Sequence, residues 1–144
     1  NFYYFVNSRI YQGIFAEQML ELQKDDLGKI DRTKQFKMSY TMLNKVHTFL
    51  DDHGVRLLVV LVPDRGNVAN GNFEDGAKIT EYCTAKKIEC LSLMKRFRAE
   101  TASGSRLYFE TDVHWTNEGH RIAADEISRY LHSDDEIALH AQKQ

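Results

Sequence analysis

Apolar residues recur along this chain at two different spacings, and the change between them predicts its architecture. From Phe5 to about Leu27, Val6, Ile10, Ile14, Phe15 and Leu22 fall mostly at helical spacing, although Gly13 weakens a helix there. The polar stretch LQKDDLGKIDRTKQ that follows reads as a surface connection. Phe36, Tyr40, Leu43, Val46 and Leu50 then step by three and four, which predicts an amphipathic helix. It ends in DDHG, where Gly54 suits the left-handed position just past a helix.

The spacing changes at Val55. The run VRLLVVLV to Val62 is almost continuously apolar, as a strand covered on both faces requires, and Pro63 stops it. The next residues, DRGNVANGN, read as a loop at that strand's carboxyl end. A helix is predicted from about Phe73 to Lys87, with Ile79, Tyr82 and Cys83 facing inward, and then a short strand from Ile88 to Leu93. Strand, helix, strand in this order is a parallel βαβ unit, for which a right-handed crossover is the rule. MKRFRAE predicts a short helix and TASGSR a loop. Ile122, Ala123, Ile127, Tyr130 and Leu131 mark a final helix, and from about residue 132 the polar tail HSDDEIALHAQKQ is expected to fray.

The pattern thus predicts an α/β fold with an anomaly. Two parallel strands do not stand alone, because such sheets carry several strands with helices on both faces. Residues 1–144 are expected to form a single domain, a partial three-layer α/β/α arrangement whose parallel sheet lacks its N-terminal strands. The sheet would be completed by the protein's own N-terminal segment or by a second copy of the chain.

Composition narrows the functional classes. The 144 residues are 42% hydrophobic and 28% charged, ordinary for a globular domain. A formal net charge of -2 argues against nucleic acid as a general partner. No apolar run approaches the roughly 20 residues that span a bilayer. The start, NFYYFVNSRIYQGIF, has neither a basic leader nor a small-residue cleavage site. It begins with Asn1 rather than Met, so a leader, an upstream domain or more of the same domain is expected before it. Cys83 and Cys90 either pair or stand as two half-buried free thiols, and a chain this poor in cysteine favours free thiols.

The chemistry concentrates in LYFETDVHWTNEGH, Leu107 to His120. In an extended segment, residues two apart project to one side, so Asp112 and His114 face the same way with Cβ atoms about 7 Å apart. After a modest bend the carboxylate accepts a hydrogen bond from the imidazole Nδ1–H, which fixes the tautomer and leaves Nε2 free as a base. Thr116 is a fair N-cap for the helix that follows, Glu118 suits its first turn, and Gly119 allows close packing. A plainer reading has Asp112 capping a turn and His114 packed beside Trp115. His120 is read as a packing or capping residue, or else as a partner behind the base. As metal ligands, Asp112, His114 and His120 match no zinc spacing, and no metal site is expected. Asp64, Arg65 and Asn67 leave the carboxyl end of a strand, where α/β sheets place ligands. Together with Trp115 they are the candidate substrate contacts.

LYFETDVHWTNEGHRIAADEISRYL resembles the final block of the SGNH hydrolases, the GDSL-type esterases and acyltransferases. A bacterial group within them, some linked to polysaccharide O-acetylation, reads D-x-H-W-N-x-x-G-H. Asp112, His114, Trp115, Gly119 and His120 match it, and Thr116 stands where that group has asparagine. SRIYQGIF, RLLVVLVPDRGNV, EYCTAKKIECLSLMKRF and RLYFETDVHW follow the order of the group's carboxyl-terminal half, from about Asn7 to Leu131. The resemblance implies a flavodoxin-like α/β/α fold. It also implies a Ser-His-Asp triad with His114 as general base and Asp112 as its orienter. An ester or O-acylated small molecule or glycan is the implied substrate, with no cofactor and an extracytoplasmic location. The family's serine lies in a G-D-S block in its amino-terminal half, with an oxyanion glycine and asparagine in later loops. None of these blocks occurs here, so the nucleophile is expected upstream of Asn1. Ser103 and Ser105, in a loop near the motif, form no recognisable nucleophile elbow. The competing reading is a catalytically inactive SGNH-like module that binds a glycan or a protein.

Overall fold

A computed structural model describes residues 32–141, with side chains described for residues 36–133. The helix predicted from Phe5 to Leu27 lies outside these residues. The chain divides into two compact units, Asn1–Ser39 and Tyr40–Gln144. The second holds the sheet, the core and the motif.

Helix α1 spans Arg32–Asp51. It therefore takes in Arg32 to Gln35, the end of the polar stretch whose composition suggests a surface connection. Its predicted stripe of Phe36, Tyr40, Leu43, Val46 and Leu50 is half-buried. The end is a Schellman motif. The N–H of Val55 donates to the Leu50 carbonyl and that of Gly54 to Asp51, while Gly54 has φ 67°. Gly54 therefore occupies the left-handed position assigned to it.

Two strands follow, as counted from sequence, and both are short. Strand β1 is Leu58–Leu61 and strand β2 is Glu89–Ser92, paired in parallel with Val59 opposite Cys90. The strand expected over Val55 to Val62 is thus trimmed at both ends. Val55 is 52% and Val62 49% exposed, and β1 itself is half-buried rather than covered on both faces. Arg56 grips Glu89 with a two-pronged ion pair, Nε to Oε1 at 3.0 Å and Nη2 to Oε2 at 2.9 Å, which pins the register at the start of the pair.

Between the strands lie two helices, α2 at Arg65–Asn70 and α3 at Glu74–Lys86. Helix α2 occupies what the sequence suggested was loop. A reciprocal cap makes six residues helical: Asp64 Oδ1 accepts from the Asn67 N–H at 2.7 Å, and Asn67 Oδ1 accepts from the Asp64 N–H at 3.0 Å. Helix α3 places Ile79 and Tyr82 half-buried and Cys83 fully buried, as its periodicity predicts. Cys83 and Cys90 are free thiols. Helix α4, Met94–Ala102, and helix α5, Asn117–Ala141, complete the order. Helix α5 runs well into the polar segment expected to fray.

The core gathers where α4, the start of α5 and the segment before the motif meet. Leu93, Phe97, Leu107 and Ile122 are at most 2% exposed, and Val68, Tyr108 and Ala123 join them. Val60, Leu91, Met94 and Trp115 pack against this cluster. The carboxyl ends of both strands are tied to it, because the Leu93 N–H donates to the Leu61 carbonyl at 3.0 Å. No helix among the described residues is long and apolar enough to cross a membrane.

Candidate active site

The motif residues sit on a loop closed at its base. Tyr108 and Trp115 form an antiparallel bridge, the Phe109 N–H donates to the His114 carbonyl at 3.1 Å, and the Thr116 N–H donates to Leu107 at 2.9 Å. Residues 110–114 bend between these bonds, so the extended geometry predicted from sequence is replaced by a turn. The turn brings the two side chains together more directly than an extended strand would. Asp112 Oδ1 accepts from the His114 backbone N–H at 3.1 Å and lies 2.5 Å from His114 Nδ1. A carboxylate can only accept, so the proton of a neutral imidazole belongs on Nδ1 and Nε2 keeps its lone pair. The hydrogen bond from the ring, joined by that from the backbone N–H, holds the Asp112 carboxyl below its usual 3.8. Both groups face solvent, with the His114 side chain 65% and Asp112 49% exposed.

Helix α5 starts two residues after Trp115 and anchors the loop. Thr116 acts as predicted at the N-cap, its hydroxyl accepting from the Gly119 N–H at 3.2 Å, and it also donates to the Arg106 carbonyl at 2.6 Å. Gly119 is needed by proximity rather than by φ. A Cβ there would stand 2.3 Å from the Leu107 carbonyl oxygen and 3.1 Å from Trp115 Cβ. Trp115 packs edge-on against Phe97 and against His120, each with ring centroids 5.2 Å apart. His120 is thus a partner of Trp115, the packing role weighed for it from sequence.

The other candidate residues do different things. Asp64 and Asn67 spend polar atoms on the α2 cap, and Asn67 Nδ2 also donates to the Asn72 carbonyl at 2.9 Å. Arg65, on the first turn of α2, reaches the motif loop instead. Its Nη1 donates to the Glu110 carbonyl at 2.6 Å and to the Phe109 carbonyl at 3.3 Å. Ser103 and Ser105 turn back to the end of α4, donating to the Glu100 carbonyl and carboxylate. Among the described residues no hydroxyl hydrogen-bonds to His114.

Sequence reasoning passed over Tyr108. Its hydroxyl donates to the Pro63 carbonyl at 2.6 Å, tying the loop's base to the end of β1. Burial pushes this phenol up to about 12, with a hydrogen bond from Trp115 acting in the opposite direction. A buried tyrosine with its hydroxyl on a carbonyl is a common solution for an aromatic core residue, and nothing local in the sequence names Pro63 as its partner.

In its carboxylate, imidazole and freed Nε2, the loop can orient a base and stabilise the positive charge that base acquires. It can move a proton. Residues 20–144 match a family described as the SGNH hydrolase-like domain of acetyltransferase AlgX. No curated protein and no solved structure matches the chain.

Proposed function

The chain belongs to the SGNH hydrolase-like domain family of acetyltransferase AlgX, and on that premise we propose that it contributes the acid and base of a Ser-His-Asp acyl-transfer site. The carrying observation is the 2.5 Å approach of Asp112 Oδ1 to His114 Nδ1. The partial α/β fold, with its two-stranded parallel sheet, is of the kind such a domain is built on. The serine comes from polypeptide outside residues 1–144.

In this reading His114 Nε2 takes the proton of the serine hydroxyl as its oxygen attacks an O-acetyl carbonyl. The imidazolium, held by Asp112, then hands that proton to the leaving alcohol oxygen, and an acetyl-serine remains. A second hydroxyl, that of a glycan for a transferase or of water for a hydrolase, gives its proton to Nε2 and takes the acetyl group. The serine oxygen recovers a proton from His114, and the cycle closes. Donor hydrogen bonds to the oxyanion come from the same external polypeptide as the serine. The open setting of the dyad fits that division. Phe109 and Val113, exposed apolar residues on the same loop, offer surface for the polypeptide that brings the serine. Trp115, Asp64 and Asn67 border the substrate on this side.

A fluorophosphonate probe on the full-length protein tests the reading. Labelling of one serine that falls steeply in His114→Ala supports it. No labelling, or labelling indifferent to His114, leaves an inactive binding module as the better account. Acetyl release in the presence and absence of a glycan acceptor separates transferase from hydrolase.

A further inference from the structure

We propose that Arg65 is a positioning residue for the Asp112–His114 pair, holding their loop by its carbonyls rather than touching substrate. The inference rests on His114 being the general base. Arg65 is on the first turn of α2, and that turn is fixed by the two reciprocal hydrogen bonds between Asp64 and Asn67. From this base the guanidinium donates to the carbonyls of Glu110 and Phe109, at 2.6 and 3.3 Å. Phe109 and Glu110 lead the chain into the turn that carries Asp112.

The clamp joins several other ties on this loop, among them the Thr116 N–H to Leu107 bond at its base and an ion pair between Arg106 and Glu110. The Phe109 N–H bonds across to the His114 carbonyl, and the Tyr108 hydroxyl bonds to the Pro63 carbonyl, beside Asp64. Among the described residues Arg65 alone brings a charged donor to carbonyl oxygens beyond the bridge, where the chain starts to bend. Both side chains of the dyad are largely solvent-exposed, so packing does not lock their rotamers. Their aim toward an external hydroxyl then follows the backbone of residues 109–114, and Arg65 fixes that backbone at its outgoing end. Charge-assisted bonds to carbonyls are stronger than neutral ones, and here the two hydrogens of one nitrogen, Nη1, serve both acceptors.

The experiment compares full-length wild type, Arg65→Ala and Arg65→Lys. It reads the His114 imidazole nitrogen shifts, hydrogen exchange at the Phe109 and His114 amides, and kcat and KM for an acetyl ester. The clamp predicts that Arg65→Ala mixes the imidazole tautomers and speeds exchange at both amides. It also predicts a fall in kcat of about 10- to 100-fold with KM nearly unchanged, the size expected for a small misplacement of a reacting group. Arg65→Lys recovers part of each. Unchanged shifts and exchange overturn the proposal, and so does a rise in KM with kcat intact, which marks a substrate contact. If wild type shows no turnover while Arg65→Ala still disturbs the imidazole and the amides, the catalytic reading fails and the clamp stands. Should Arg65→Ala not fold, Arg65→Gln, which keeps a donor without the charge, is judged by the same criteria.

Discussion

Asp112 holds His114 at two points through a single oxygen, Oδ1, which accepts from the backbone N–H and lies against ring Nδ1. The backbone bond places the imidazole and the ring bond sets its tautomer. The two functions separate by mutation. In the full-length protein His114→Ala should lower kcat by about 100- to 10,000-fold, the usual weight of a positioned base. Asp112→Asn can still accept the backbone bond but can also present an amide N–H to the ring. A loss of similar order is expected, with the imidazole nitrogen shifts moving away from the Nδ1–H form. Because both side chains are exposed, thermal midpoints should stay near that of wild type. A large drop in the midpoint would mean the pair is structural.

The same bonds set an acid limit. Asp112 titrates below 3.8 because the folded loop donates hydrogen bonds to its ionised form. A carboxyl lowered on folding adds stability above its unfolded value, and that share is lost as pH falls through the folded value. Carbon-13 titration of the Asp112 carboxyl should give a midpoint below 3.8, moving back toward it in His114→Ala. A midpoint at or above 3.8 in wild type would contradict the hydrogen bonds described here.

An alkaline limit belongs to Tyr108. Burial raises its phenol to about 12, so the neutral form is favoured by folding. Its contribution is intact below pH 10 and lost as pH rises toward 12. Urea midpoints should therefore fall over this window, and Tyr108→Phe should flatten the fall while costing about 0.5–1.5 kcal/mol at neutral pH for the bond to Pro63. An equal fall in Tyr108→Phe would assign it to other groups.

Gly119→Ala should be costly although glycine is usually a poor helix residue. The added carbon would stand 2.3 Å from the Leu107 carbonyl oxygen, which is backbone and cannot rotate away. Overpacking of this kind costs about 1–3 kcal/mol, against a propensity gain below about 1 kcal/mol. Chemical denaturation measures the balance, and a stabilised Gly119→Ala would show that α5 does not pack as closely as described.

Phe97→Ala removes the ring on which Tyr108 and Trp115 both rest edge-on. A fully buried phenylalanine replaced by alanine loses about 3–5 kcal/mol. The loss should appear in calorimetry together with faster exchange at the Phe109 and His114 amides, since the loop's base stands on this ring. Slow exchange retained in a destabilised Phe97→Ala would uncouple the loop from the core.

What the sequence disclosed follows the range of the interactions involved. The pairing of Asp112 with His114 is local, and residues two apart were enough to suggest it, although the chain achieves it by bending. The amphipathic helices from Phe36 and Phe73 were visible because their stripes repeat. Helix α2 was not, since Gly66 and two asparagines make a weak helix former and only the Asp64–Asn67 cap offsets that. The length of α5 was underestimated for a related reason. Beyond Leu131 no apolar stripe marks it, yet a helix already nucleated can extend through residues of good propensity such as Glu, Ala and Leu. The bonds from Arg65 to Glu110 and from Tyr108 to Pro63 each join residues 45 apart, and no local spacing encodes them.

The hairpin-like closure from Tyr108 to Trp115 has a consequence for how the proton-handling pair comes into being. Both of its members, and the hydrogen bond that seals them in, fall within eight consecutive residues. Little chain entropy separates them, so closing the turn costs the chain little. What the rest of the molecule supplies is footing, the ring of Phe97 beneath both Tyr108 and Trp115.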